Sequence, residues 1–148
     1  MGKIVKHGRI VVLTTGRFAG RKGIVVRDIQ EGGKRKFPHA LVAGVETAPQ
    51  KVTKVMSKKK IAKRTRVKPF VKYVNLNHLL PTRYLLGNDM EKLKSTVTED
   101  KMASGDKRKE LRKELADLFK EKYTSLPASS GANDKSNHLR FLFRRLRF

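Results

Sequence analysis

Cysteine is absent from the sequence, and so is tryptophan. Without cysteine there are no disulfides, thiolate zinc sites, iron–sulfur clusters or cysteine nucleophiles, and the absence fits a reducing compartment. Acids are scarce, with 13 Asp and Glu against 36 Lys and Arg. No apolar run approaches the roughly 20 residues that crossing a bilayer requires. The opening Met1-Gly2-Lys3-Ile4-Val5-Lys6 lacks the apolar core of a signal peptide, and Lys6 stands where N-myristoylation wants serine or threonine. These absences weaken readings as a disulfide-stapled secreted domain or a membrane spanner. They predict an intracellular chain.

What is present in excess is positive charge. The 148 residues carry a formal net charge of +23. Such a chain repels itself, so its compact state should be most stable beside a polyanion. The excess is uneven: residues 1–75 hold 20 Lys and Arg against 3 acids, and residues 76–148 hold 16 against 10. The densest stretch runs from Lys51 to Lys72 through Lys54, Lys58, Lys59, Lys60, Lys63, Arg64, Arg66 and Lys68, with no acid among them. A solvated helix face normally mixes both signs to gain i,i+4 pairs. An unmixed run costs stability unless phosphates neutralise it. A nuclear-localisation tract and a solubilising face are the blander readings of the same run.

Three β-type runs open the chain: Arg9–Thr14, Gly23–Ile29 and His39–Val45, rich in β-branched residues and bounded by glycine or proline. That pattern suits a small barrel or sandwich. Their apolar content is nearly continuous, which leaves register unassigned. Val55–Arg66 reads as a short basic helix anchored by Ile61 and Ala62 and stopped by Pro69; Phe70–Asn77 is β-prone, and His78–Tyr84 reads as an extended loop or strand. From Asp106, a predicted N-cap, Leu111, Leu115, Leu118 and Phe119 form an amphipathic helical stripe that ends before Pro127. Ala128–Asp134 has a linker's composition. In the tail Leu139–Phe148, arginines alternate with aromatics. This suits phosphate pairing with base stacking, or a last strand or helix docking on the body.

The stretch from Gly16 to Gly23 invites a phosphate-loop reading, but the Walker spacing is missing: Arg21 follows Gly20, and Gly23 follows Lys22. A strand-to-strand loop with Arg17, Arg21 and Lys22 projecting toward a nucleic-acid backbone is the better reading. His7, His39, His78 and His138 lack metal-ligand spacing, and each is read as a packing or hydrogen-bonding residue. No acid/base dyad or nucleophile elbow is visible. The sequence predicts no enzyme, cofactor, metal or small-molecule substrate.

Ile10–Gly16 followed by Gly20–Val26 resembles a KOW motif. His39–Gly44, Lys51-Val52-Thr53, Met56–Arg64, Asn77–Tyr84 and the terminal Leu146-Arg147-Phe148 resemble the eukaryotic-type large-subunit ribosomal protein L-twenty-seven family. The likeness covers about residues 1–84 well and the helical region loosely. Where members carry Trp-Phe-Phe near the end, this chain has Phe141-Leu142-Phe143.

The resemblance implies an α+β protein: a small SH3-like KOW β-barrel (1–84) with an embedded basic segment (51–72) and basic helix, and a C-terminal helical extension. A linker and amphipathic helix (85–127) and a polar linker with an Arg/aromatic tail (128–148) complete the division. It implies a structural part of the large ribosomal subunit, beside ribosomal RNA and neighbouring ribosomal proteins. The location would be the cytoplasmic ribosome, with nuclear or nucleolar passage during assembly. Candidate RNA-binding residues are Arg17, Arg21, Lys22, Lys34, Arg35, Lys36, Lys51, Lys54, Lys58, Lys59, Lys60, Lys63, Arg64, Arg66, Lys68, Arg83, Arg140, Arg144, Arg145 and Arg147.

The rivals predict other features. A transcription-elongation KOW module should show acidic or tandem segments. A peptide-reading SH3-like domain needs an aromatic cage, for which Phe18 and Phe37 are the main candidates before Phe70. An RNA-modifying enzyme needs an acid/base constellation.

Overall fold

The computed structural model describes residues 4–29, 35–87, 91–126 and 134–146. Strands β1 (Arg9–Leu13), β2 (Lys22–Ile29) and β3 (His39–Thr47) are followed by helix α1 (Lys58–Arg64). Strands β4 (Lys68–Asn75) and β5 (Leu79–Leu85) come next, joined by a single 3-10 turn, Leu76–His78. Helices α2 (Glu91–Thr96), α3 (Glu99–Ala103), α4 (Gly105–Thr124) and α5 (Asp134–Phe143) complete the order. The strands form one antiparallel sheet in the order β4-β3-β2-β1-β5. Pro69 sits in β4 rather than stopping α1; β4 is an edge strand, where a missing N–H is tolerated.

The two edge strands are consecutive in sequence, and this forces the sheet to curl. Laid flat, the outer strands of five would lie about 19 Å apart at ~4.8 Å per strand. Asn75 to Leu79 can span only about 14 Å even when extended, and the turn between them is coiled. Bulges at Arg9/Val11, Val25/Arg27 and Val45/Thr47 supply the bend. The concave side gathers Val11, Leu13, Phe18, Val25, Val42, Phe70, Val74 and Leu79 into one core. Phe70 and Val74 from one edge strand thus share a core with Leu79 from the other. No β4–β5 ladder joins them among the described residues, so the sheet is not closed.

The convex side is covered as well. Ile10, Ile24, Val26, Leu41, Ala43 and Val45 pack with Leu93, Leu111, Leu115 and Phe119 of α2 and α4, and with Leu139, Leu142 and Phe143 of α5. Burial on both faces explains the near-continuous apolar runs of β1–β3, since alternation appears only when one face meets water.

Helix α4 begins at Gly105 behind Ser104, so Asp106 is a first-turn residue and not the cap; it pairs with Lys109 at 3.1 Å. The short helices α2 and α3 replace what reads in sequence as linker. The tail is helical as far as Phe143, which meets the rings of Phe119 and Tyr123 edge to face. Pro127 and Ala128–Asn133 lie outside the described residues.

Candidate nucleic-acid interface

The β1–β2 loop is built on an aromatic plug. Gly16 and Gly20 take φ of +84° and +74°, a region that side chains beyond glycine disfavour. Gly20 N–H donates to the Leu13 carbonyl and Arg21 N–H to that of Phe18. Phe18 turns inward and stacks on Phe70, with centroids 4.2 Å apart and planes 10° apart. The Phe70 ring in turn lies over Gly44, where a Cβ would stand 2.5 Å from it. With Phe18 anchored, Arg17 and Arg21 are held exposed at the loop surface, the Arg17 guanidinium 4.7 Å from the Phe18 ring.

Lys22 does not project beside them. It is 5% exposed, and its ammonium donates to the carbonyls of Phe141 and Arg144, each at 2.5 Å, while standing 3.8 Å from the Phe141 ring centroid. These are carbonyls at the C-terminal end of α5, where the helix dipole favours a cation. Burial, reinforced by the charge of Arg144, lowers the Lys22 pKa to about 8. The expectation that Lys22 reaches out from the loop is therefore corrected. As the first residue of β2, its side chain enters the seam between sheet and tail.

The cations of the 51–68 segment stay outside. Helix α1 has no buried residue, and Ile61 is only half-buried. Lys51, Lys54, Lys58, Lys59, Lys60, Lys63, Arg66 and Lys68 are exposed. Arg64 is half-buried and braces the segment: it donates to the Lys51 carbonyl at 3.0 Å, and its own carbonyl accepts from Gln50 N–H at 2.9 Å. Among the described residues, no acid pairs with any of these cations.

Helix α4 supplies cations that the sequence reading missed. At 3.6 residues per turn, five of the seven α4 cations, Arg108, Lys109, Arg112, Lys113 and Lys120, fall within about 140° of arc with Lys107 and Lys122 outside it, and Asp106, Glu110, Glu114, Asp117 and Glu121 within about 80° beside it. A nearly balanced count thus conceals a partly sorted surface. The basic flank meets the β4 edge in two adjoining clefts. One, of about 430 Å³, has Arg17, Lys72, Arg108 and Arg112 in its walls, with Glu46 as its acid. The other, of about 450 Å³, has Arg66, Lys68, Arg112, Lys113 and Lys120, with Glu46 and Asp117 as its acids. A helical-wheel sort of α4 by sign of charge would have found these residues.

The remaining candidates separate into groups. Arg21 meets Arg144 and Arg145 in a third cleft of about 460 Å³. Arg83, Arg140 and Arg144 share a fourth, between β5 and α5. The Arg35 guanidinium lies 4.3 Å from the Tyr73 ring centroid, and Lys36 is exposed. Lys51, Lys54, Lys58, Lys59, Lys60 and Lys63 line none of these four clefts. Lys34 and Arg147 lie outside the described residues. Three histidines are held through Nδ1 by carbonyls: His7 by Val26, His39 by Phe37 and His138 by Leu85. Among the described residues no cluster of His, Asp and Glu is arranged to hold a metal ion, and no helix is long and apolar enough to cross a membrane.

The arrangement is that of a small basic α+β protein with outward-facing cations on a rigid sheet-and-helix body. A family model described as the Ribosomal L27e protein family matches residues 10–148, and the chain belongs to that family. It is 48% identical over 149 residues to the large ribosomal subunit protein eL27 of Tetrahymena thermophila, with both chains covered completely. It is 49% identical over 124 residues to the eL27 protein of Candida albicans and 47% identical over 124 residues to the eL27B protein of Saccharomyces cerevisiae. In both cases 83% of this chain and 90% of the relative are covered.

Proposed function

We propose that the chain is a structural constituent of the large ribosomal subunit, binding ribosomal RNA by phosphate neutralisation and shape. The observation that carries the reading is α1: a helix with five cations in seven residues and no buried side chain. Helices this short are marginal in water even with favourable sequences, and mutual repulsion weakens this one further. A phosphate backbone supplies the missing countercharge. The exposed loop cations Arg17 and Arg21, and the α4 flank along β4, extend the footprint. Recognition follows RNA shape, because the A-form major groove is too narrow for side chains to read.

Lys34, Arg35, Lys36, Arg83, Arg140, Arg144, Arg145 and Arg147 belong to the proposed contact set; Lys22 acts within the protein instead. We read the curled sheet as an SH3-like barrel of KOW type, supported by the shared core of β4 and β5. The division at residues 84 and 127 is kept as barrel, helical extension and tail. The location that follows is the cytoplasmic ribosome, reached through nucleolar assembly, beside other large-subunit proteins. The peptide-reading alternative is weakened because Phe18 is buried by its stack on Phe70 and cannot wall a cage.

The test is sedimentation of tagged full-length protein through sucrose gradients at low and high salt. Persistent co-migration with large subunits is expected. A free pool under both conditions contradicts the assignment.

A further inference from the structure

The cleft between β5 and α5, of about 680 Å³, is walled by Arg83, Tyr84, His138, Arg140, Phe141 and Arg144, with no acid in its lining. Arginine and aromatics together suggest base stacking, but the ring faces here are already occupied. Phe141 stacks on Tyr84, with centroids 4.1 Å apart and planes 25° apart, and the Lys22 ammonium lies 3.8 Å from the same Phe141 ring. A stack that close fills one face, so Lys22 takes the other. Tyr84 carries the Arg83 guanidinium at 5.1 Å, and His138 meets it at 73°. The column therefore runs Lys22, Phe141, Tyr84, Arg83, which leaves a nucleobase entering the cleft no open face on Phe141 or Tyr84.

Arg83, Arg144 and His138 also line the cleft. The Leu85 carbonyl can only accept, so the His138 Nδ1 that lies 2.9 Å from it carries the proton. Nε2 of that tautomer holds a lone pair and accepts, so His138 stands in the wall of the cleft and the donors to a phosphate are the arginines. The guanidinium of Arg144 belongs to an exposed residue, and guanidinium forks match phosphate oxygens in pairs.

We infer that this cleft is a discrete phosphate subsite: it takes one phosphate of a nucleic-acid backbone through Arg83 and Arg144, beside the His138 ring, and leaves the base outside. The inference rests on the RNA-binding reading above and adds to it indifference to the base.

The test uses the full-length 15N-labelled chain at fixed ionic strength, following the His138 ring nitrogens and arginine Nε signals by NMR. The titrants are inorganic phosphate, a short single-stranded RNA, and the same RNA with abasic nucleotides. The His138 and Arg144 signals should move saturably with phosphate and in the same direction with both RNAs, whose affinities should agree within about twofold. Arg83→Gln combined with Arg144→Gln should weaken the phosphate response about tenfold or more while sheet amides stay in place. Arg144→Gln alone, which leaves the aromatic column intact, should weaken it about threefold.

An unsaturable linear drift overturns the subsite, and so does a tenfold preference for the base-bearing RNA. RNA binding that never moves His138 overturns the subsite and leaves the RNA-binding reading standing. Saturation by phosphate with no response to either RNA overturns the assignment to a nucleic-acid backbone.

Discussion

The ammonium of Lys22 is fastened to Phe141 twice, through its carbonyl at 2.5 Å and over its ring at 3.8 Å from the centroid. A cation from the first half of the chain thereby serves as the clasp of the last helix. Charge-assisted bonds of this kind are about twice as strong as neutral ones, and here they offset part of the cost of burying the charge. Replacing Lys22 with Met keeps much of the stem and removes the donor. Hydrogen exchange across residues 136–144 should then accelerate about tenfold or more, as expected for a locally released element. Amides of β1–β3 should keep their protection. Equal loss across the sheet would show that Lys22 supports the whole core and not the tail.

The same residue sets a pH dependence. Its pKa is about 8 in the fold against 10.5 ordinarily, so between those values the unfolded chain binds more protons, and stability rises with pH across that window. Tyr73 acts in the opposite sense. Burial first, and Glu99 second, raise its pKa above the ordinary 10.0, against the opposing charges of Arg35 and Arg27. Above about pH 10 the unfolded chain loses a phenolic proton that the fold keeps, and stability falls. Denaturant midpoints measured from pH 7 to 11 should rise and then flatten or fall. The rise should shrink in Lys22→Met; an identical rise in that variant would remove Lys22 as its source.

Gly44 links the sheet to the β1–β2 loop. It lies opposite Gly23 on one side and Phe70 on the other, and a Cβ there would meet the Lys22 carbonyl and the Phe70 ring, each at 2.5 Å. Gly44→Ala should destabilise by about 1–3 kcal/mol through overpacking. Phe18→Ala, which empties the other half of the plug, should cost about 3 kcal/mol. Both should also raise the mobility of Arg17 and Arg21, seen as faster loop amide exchange. A variant that keeps full stability would contradict the plug.

Arg112 lines both clefts between α4 and β4. Arg112→Ala should reduce the slope of log affinity against log salt by about one contact, roughly 0.7–0.9, while leaving stability nearly unchanged because the side chain is exposed. No change in slope would place the α4 flank outside the interface.

How much of this is legible in the chain depends on which partner decides each residue's role. The three opening runs mark β1–β3 because glycine and proline bound them. Their register is hidden because Ile10 and Val11, adjacent in sequence, enter two different cores. The stripe of Leu111, Leu115 and Phe119 declares α4, since one apolar face is enough. Arg21 and Lys22 look alike in sequence and separate only when α5, more than a hundred residues later, arrives to accept the lysine. The α4 flank escapes a residue count because its sorting is angular. Phe141 reads as a stacking residue until Tyr84 is seen on its face.

The central claim is that the uncompensated cations of α1 exist to neutralise phosphate. Its most direct test is the salt dependence of binding to large-subunit ribosomal RNA, compared between the natural chain and Lys58→Ala, Lys59→Ala, Lys60→Ala combined. With roughly 0.7–0.9 per contact, the slope should become shallower by about 2–3. An unchanged slope, with the RNA still bound, would take α1 out of the interface and contradict the account.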